Sequence, residues 1–352
     1  MVVEGAGLNS DGARPHPLHD LARCPYHVDG GALRVEELDA NGHSWTVRCV
    51  ECGRRYPVED GIYRLLPDEL RPRTGWLSTG DAASDQMLRE MSQRDRRAGE
   101  RGGFQRISRD STLYWMNVQY DAVTRLARIR TDGLCVDFGT GVGRYMGWIL
   151  KHAPLAAGTD FSIASLRLLR DSLTPDERRR CLLVQCDLTR PGLAPATARC
   201  GVCVEVVQHL PTQGAREAAL RAMARTLAPG GELFLATKAH CAARRVTTSV
   251  QYAVWMFRRL AGAGVAPPAV GREKTDGEIR TFFYTYREIL KQTRPYFDCL
   301  RARGIVAFES FPIRLLPFEA RLRMDRALER RWCGRLFGRD MLLWLRRREA
   351  AA

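Results

Sequence analysis

Between residues 133 and 238 short apolar runs alternate with stretches of helical spacing. The runs Leu134–Phe138, Ala156–Asp160, Leu182–Cys186, Gly201–Val207 and Glu232–Thr237 predict strands, and Ile163–Ser172 and Ala215–Leu227 predict two of the helices between them. Strand–helix alternation of this kind builds a parallel sheet through right-handed crossovers. Such sheets bind ligands at the carboxyl ends of their strands. After Lys238 the alternation stops, and residues 239–281 read as an insertion, partly helical and basic, with the turn-rich stretch 262–271 inside it. A helix is expected again at Thr285–Thr293. Phe297–Arg303 and Met341–Arg347 predict the last two strands, with a helix around Pro317–Trp332 between them. Upstream, Met87, Leu88 and Met91, then Leu113 to Ile129, give residues 81–130 a helical period.

The first part of the chain has a different pattern. Ala32–Leu38 and Ser44–Val50 alternate like strands about Asn41-Gly42, a strong hairpin signal. On either side lie Cys24-Pro25-Tyr26-His27 and Cys49-Val50-Glu51-Cys52. Two such knuckles offer four soft or borderline ligands from two turns, the requirement of tetrahedral zinc. Cys24, His27, Cys49 and Cys52 are the expected ligands. His43 is the alternative to His27, although it sits near the hairpin tip. The organisation expected is a disordered lead-in over 1–19, a zinc ribbon over 20–66, a Pro/Gly/Ser/Thr-rich linker over 67–80, a helical lid over 81–130, and an α/β domain over 131–352.

Composition narrows the setting. Hydrophobic residues make up 45% of the chain and charged residues 27%, as in a soluble globular protein. No segment is long and apolar enough to span a bilayer, and Met1 to Pro17 lack the basic start and apolar core of a signal peptide. A cytoplasmic protein without a membrane role is expected. Eleven cysteines in such a chain do not suggest a disulfide framework. The net charge of +15 is carried mainly by arginine. It admits RNA or an anionic substrate as a partner, but the runs Arg94–Arg97 and Arg178–Arg180 have acidic neighbours and read as solvated helix faces.

The chemistry starts at Val136-Asp137-Phe138-Gly139-Thr140-Gly141-Val142-Gly143-Arg144. A strand, a glycine turn and a helix start make a cradle for a nucleotide-like cofactor. The Asp-x-Gly-x-Gly-x-Gly spacing is tighter than the dinucleotide fingerprint, which favours S-adenosylmethionine over NAD. Asp160 ends the next strand, where a carboxylate can accept both ribose hydroxyls; a helix cap for Ser162 is the plain alternative. Glu205 is the first polar side chain after the apolar run of the fourth strand. His209 follows, a residue type able to take a proton from a hydroxyl or amine.

With these motifs the chain from about 130 to 349 resembles the class I S-adenosylmethionine-dependent methyltransferases, of the type 11, ubiquinone/menaquinone-biosynthesis-like kind. The resemblance implies a Rossmann-like sheet, with Asp137, Gly139, Thr140, Gly141 and Gly143 around the methionine part of the cofactor. It implies Asp160 and Phe161 at the ribose, Asp187 and Leu188 at the adenine, and Glu205 at the methyl-transfer end. Cys203 to Pro211 is similar to ubiquinone-pathway O-methyltransferases, which carry Glu, Glu and His here with a divalent metal; Gln208 replaces the second Glu. His209 is then the candidate base, and packing or capping is its bland role. Ala228-Pro229-Gly230-Gly231 matches the family's turn into the fifth strand. Glu90 to Asp95 resembles the family's helix over the active site. The tail Tyr56-Pro57-Val58-Glu59-Asp60-Gly61-Ile62 resembles small zinc-ribbon proteins that partner RNA and protein methyltransferases.

The expected acceptor is a small biosynthetic intermediate, enclosed by the helical lid, the insertion and the aromatics Phe282, Phe283, Tyr284 and Tyr286. The alternatives are an RNA substrate read by the ribbon and the basic surface, and a non-catalytic partner-binding scaffold. A homodimer stays open.

Overall fold

The computed structural model describes residues 16–27, 30–38, 44–71, 81–101, 110–127, 129, 132–260, 272–307, 315–331 and 333–349. Residues 1–15 of the expected lead-in, Asn41-Gly42, His43, residues 72–80 of the expected linker and the turn-rich 262–271 lie outside them.

The N-terminal unit contains β1 (Arg23–Cys24), β2 (Gly31–Leu38), β3 (Ser44–Cys49), β4 (Arg55–Glu59) and β5 (Ile62–Arg64), each antiparallel to the next. Two helices follow, α1 (Ala82–Arg101) and α2 (Asp110–Leu126). The body then alternates: β6 (Leu134–Phe138), α3 (Met146–His152), β7 (Leu155–Asp160), α4 (Ile163–Ser172), α5 (Pro175–Arg180), β8 (Cys181–Gln185), β9 (Ala198–Val204), α6 (Gln213–Thr226) and β10 (Leu227–Lys238). The insertion holds α7 (Ala242–Leu260) and a hairpin of β11 (Glu273–Asp276) and β12 (Ile279–Phe282). The chain closes with α8 (Tyr286–Thr293), β13 (Phe297–Ile305), α9 (Phe318–Glu329), α10 (Gly334–Phe337) and β14 (Asp340–Arg347).

Among the described residues one sheet runs through both parts, in the order β1-β2-β3-β4-β5-β8-β7-β6-β9-β10-β14-β13. From β8 to β10 neighbouring strands are parallel, and β14 is antiparallel to β10 and β13. The order reverses at β6, whose neighbours are β7 and β9. The carboxyl ends of strands part at such a point and leave a crevice. The α/β expectation is met strand by strand, with ends shifted by a few residues. The fourth strand stops at Val204, not Val207, because Glu205 takes a left-handed backbone with φ 62°.

The N-terminal unit continues the body's sheet. β5 pairs in parallel with β8 through Ile62–Leu183, Tyr63–Val184 and Arg64–Gln185. A bare β8 would present an edge of unpaired backbone groups. Side chains alternate across a strand, so fully buried Tyr63 joins Val58 and Val184 in the core on one face. Ile62 joins Leu183 and Tyr114 in the core on the other. The end of the expected lead-in is also packed: His19 bonds the Tyr63 hydroxyl and the Leu33 carbonyl, both at 2.8 Å. Likewise the start of the expected linker is ordered, and Leu70 is buried with Leu66 and Met91.

The β11–β12 hairpin is held to α1 by three bonds. Gln86 Nε2 donates to the Glu278 carbonyl at 2.7 Å, and the amides of Glu278 and Arg280 donate to Gln93 Oε1 at 2.7 Å and Glu90 Oε1 at 2.9 Å. The insertion's hairpin was not foreseen. Its strands lack apolar alternation, and only Asp276-Gly277 signals the turn.

Candidate active site and metal-ligand cluster

The glycine turn leaves β6 at the reversal point. Gly139 has φ 76°, and a Cβ there would lie 2.3 Å from Val206 Cγ2. Gly141 has φ 54°, but its missing Cβ would meet nothing within 4 Å, because it faces the crevice. Gly143 is packed beneath, on Leu169. The amides of Gly139 and Thr140 donate to the Thr159 carbonyl at 2.7 and 2.8 Å, tying the turn to β7.

Asp160, at the end of β7, accepts from the Gly141 amide at 2.8 Å and the Ser162 amide at 2.9 Å. Its carboxylate is therefore fixed, with one lone pair on each oxygen left over. Ser162, not Asp160, caps α4. Burial pushes the Asp160 carboxyl up, opposed by the Ser162 amide and the Arg94 charge. Asp137 accepts from Thr140 Oγ1 at 2.8 Å, and burial pushes its carboxyl up to about 7. Asp187 is braced by the Thr189 amide at 3.0 Å and hydroxyl at 2.5 Å.

These groups line one cavity of about 270 Å³, which also takes in Phe161, Leu188, Glu205 and His209. Of the expected cofactor and catalytic residues, only Gly143 does not reach it. Phe282, Phe283, Tyr284 and Tyr286 do not line it either: Phe283 and Tyr284 are buried, and Tyr284 pairs with Ala239 beneath the insertion. The cavity's other walls are Met87, Glu90 and Arg94 of α1, Trp115 of α2, and Arg144 and Tyr145 after the glycine turn. From sequence the helix around Glu90 to Asp95 is expected over the active site, but Met87, Arg94 and Trp115 are not singled out as cavity walls. Met87, Glu90 and Arg94 at i, i+3 and i+7 share one helix face, which was the available signal.

At the far end Glu205 belongs to a charge network. Its oxygens accept from Gln119 Nε2 at 3.0 Å, Gln208 Nε2 at 2.7 Å and Lys238 Nζ at 3.1 Å. Lys238 also reaches Asp340 at 2.8 Å and lies 4.0 Å from the centre of the Trp115 ring. Asp340 in turn accepts from Trp115 Nε1 at 2.5 Å, and Arg144 donates to Gln119 Oε1 and, at 2.8 Å, to the Tyr145 hydroxyl. Gln208 accepts from Thr237 Oγ1 at 2.8 Å, so both ends of its amide serve the network rather than a metal. Burial drives Lys238 toward neutrality, but Asp340 and Glu205 outweigh it and its pKa is raised.

His209 is differently placed. Its Nδ1 lies 2.6 Å from the Arg280 carbonyl, which can only accept, so Nδ1 carries the proton and Nε2 is the acceptor. Burial, with the Arg94 and Lys238 charges, pushes the ring's pKa down to about 3.

At the other end of the sheet the ligand atoms of Cys24, His27, Cys49 and Cys52 all lie within 4.8 Å of one another. The His27 ring is held by Glu51 at 2.9 Å on Nδ1, and its Nε2 is buried without a partner. A Cβ on Gly31 would lie 2.7 Å from His27 Cδ2 and 2.8 Å from Cys49 Sγ, so only glycine lets β2 pass. Three sulfurs and an orphaned imidazole nitrogen are a donor set suited to a metal ion.

Residues 136–235 match the protein family described as a methyltransferase domain. The chain carries a methyltransferase domain over these residues, and it is a methyltransferase enzyme. Among solved structures, an S-adenosylmethionine-dependent methyltransferase from Mesorhizobium loti is similar at 16% identity, covering 66% of this chain and 100% of that one, with a TM-score of 0.46. A complex containing the Haloferax volcanii Trm112 methyltransferase activator aligns at 15% identity over 72% of this chain and 96% of that one, with a TM-score of 0.45. No curated protein matches the sequence.

The cavity fits the cofactor: Gly141 leaves room for it, Asp160 keeps two acceptors for a ribose, and Leu188 and Phe161 supply apolar walls. Asp160→Ala should weaken S-adenosylmethionine binding at least tenfold by calorimetry; unchanged affinity would remove Asp160 from the cofactor site. The His209 ring should stay neutral, protonated on Nδ1, down to pH 5 in nuclear magnetic resonance of ring-labelled protein. A midpoint near 6.5 would contradict the burial of the ring beside the Arg94 and Lys238 charges.

Proposed function

We propose that this methyltransferase acts on a small molecule, a biosynthetic intermediate with an apolar or partly aromatic body. The observation that supports this reading is a pocket of small-molecule size: α1 lines a cavity of about 270 Å³ that runs from the glycine turn to His209 and Trp115, and the β11–β12 hairpin is bonded to α1. When bound, the cofactor supplies a methyl group on an electrophilic sulfonium. The protein's part is to align the acceptor and keep water out. Asp160, Asp187 and the glycine turn hold the cofactor. Trp115, fixed through its Nε1 to Asp340, orients the acceptor. Glu205 is committed to three donors and positions the wall. His209 Nε2 accepts a hydrogen bond from the hydroxyl or amine of the methyl acceptor and so orients it, while burial leaves the ring too weak a base to keep that proton at neutral pH.

We further propose that Cys24, His27, Cys49 and Cys52 hold a structural Zn²⁺ that joins the two knuckles. Glu51 on the far nitrogen of His27 would fix the ring for coordination. Cys49→Ser should release zinc from the purified protein; one retained equivalent would exclude the site.

One feature favours the RNA alternative. A groove of about 350 Å³ between the Cys24–His27 turn and α6 is lined by Arg23, Arg190, Arg221 and Arg225, a cationic surface of the kind that attracts phosphates.

The two are separated by incubating the protein and radiolabelled S-adenosylmethionine with an extract of the source cell, then dividing it into RNA, protein and small-molecule fractions. Label is expected in a small metabolite. Label in RNA would overturn the small-molecule reading and make the arginine groove the substrate platform.

A further inference from the structure

Helix α7 is long, and its described side chains are chemically one-sided. Val246, Val250 and Phe257 are 64%, 57% and 75% exposed, and Val254 and Met256 are also exposed. Residues advance about 100° each around a helix, so Val246, Val250, Val254 and Phe257 fall within an arc of about 80°. Arg258 borders that arc on one side and Arg245 lies toward the other. Both are exposed, and neither has an ion-pair partner among the described residues. The sequence from Ala242 to Leu260 contains no Asp or Glu.

A second pair of exposed apolar residues lies on a neighbouring helix. α10 packs beside the start of α7, where Cys241 Sγ lies 3.9 Å from the Phe337 carbonyl, and Leu336 and Phe337 are exposed. Single exposed apolar residues are ordinary, but a contiguous patch bordered by charge marks an interaction surface. No helix among the described residues is long and apolar enough to cross a membrane, so the contact is with a surface and not a span.

We propose that α7 and α10 form a peripheral docking face for an anionic lipid bilayer. The helix meets the physical requirements: an apolar face that can sink into the headgroup boundary, arginines at its borders, and no carboxylate to be repelled by the lipid charge. A protein partner would need acids placed to meet Arg245 and Arg258, whereas an anionic bilayer meets both in any rotation about the membrane normal. α7 starts four residues after Lys238, at the end of the cavity, and the same insertion supplies the hairpin bonded to His209. Docking would therefore bring the side of the enzyme that covers the cavity toward the lipid.

The test is flotation of the full chain with vesicles of phosphatidylcholine alone and of phosphatidylcholine with phosphatidylglycerol. The expected result is at least tenfold more bound protein on the anionic vesicles, falling as salt is raised. Val250→Asp with Phe257→Asp should abolish binding, and Arg245→Gln with Arg258→Gln should weaken it at least threefold. Both variants should retain the wild-type affinity for S-adenosylmethionine, since these side chains lie on the surface away from the cavity. Absence of binding to anionic vesicles overturns the proposal, as does binding that both variants leave unchanged. Concentration-dependent dimerisation that Phe257→Asp abolishes, without vesicle binding, would assign the face to a second copy of the chain instead. The vesicle readout requires no methyl transfer, so its failure is separate from a failure of the substrate reading.

Discussion

The closed end of the cavity depends on one ammonium group. Lys238 ends β10 and reaches both Glu205, just beyond β9, and Asp340, at the start of β14. A buried charge left without partners costs several kcal/mol, so these three strand ends are held in one arrangement. Gln119 and Trp115 of α2 join through Asp340, and Arg144 joins through Gln119. The two cations balance the two carboxylates. The strained backbone of Glu205 fits this picture: its left-handed φ turns the carboxylate toward Lys238, and the network holds it there. Cofactor cradle, aromatic wall and lid helix are thus fixed relative to one another by polar bonds as well as packing.

At the opposite end of the sheet the same economy of edges applies. β8 would be the outer strand of the body, and β5 covers it. The two cores include residues from both parts, so the N-terminal unit shares its interior with the catalytic sheet. The Cys and His cluster lies at the far side of that unit, beyond bonding reach of the cofactor cavity.

Much of this was legible in the chain because the signals are local. Apolar runs separated by helical spacing mark β6 to β10, and the glycine spacing marks the cradle. Asp160 follows as the polar residue that ends β7, Asp187 as the one two residues past β8, and His209 as one in the turn after β9. Cys-x-x-His and Cys-x-x-Cys place the four ligands within reach because a hairpin must bring the knuckles together. What was hidden is long-range. Nothing near Ile62 announces that it pairs with Leu183, and a three-residue strand has too short a pattern to stand out. Asp340 and Lys238 read as ordinary strand-end charges until the fold brings them to 2.8 Å. The β11–β12 hairpin was missed because β11 is polar and two strands of four residues are too short to show a pattern. Phe283 and Tyr284 looked like a lid from sequence, yet packing of the insertion onto the sheet buries them.

The shared sheet also has a consequence in time. Arg64 and its partner Gln185 are 121 residues apart in sequence. At a synthesis rate of about 5–20 residues per second, the first strands wait roughly ten seconds on the ribosome for the strand they adjoin. During that interval β5 is an open edge, and Tyr63 and Ile62 have no second layer to bury against. A free hairpin is marginal in water, so the early meander gains its lasting second layer only when β8 emerges and pairs with β5.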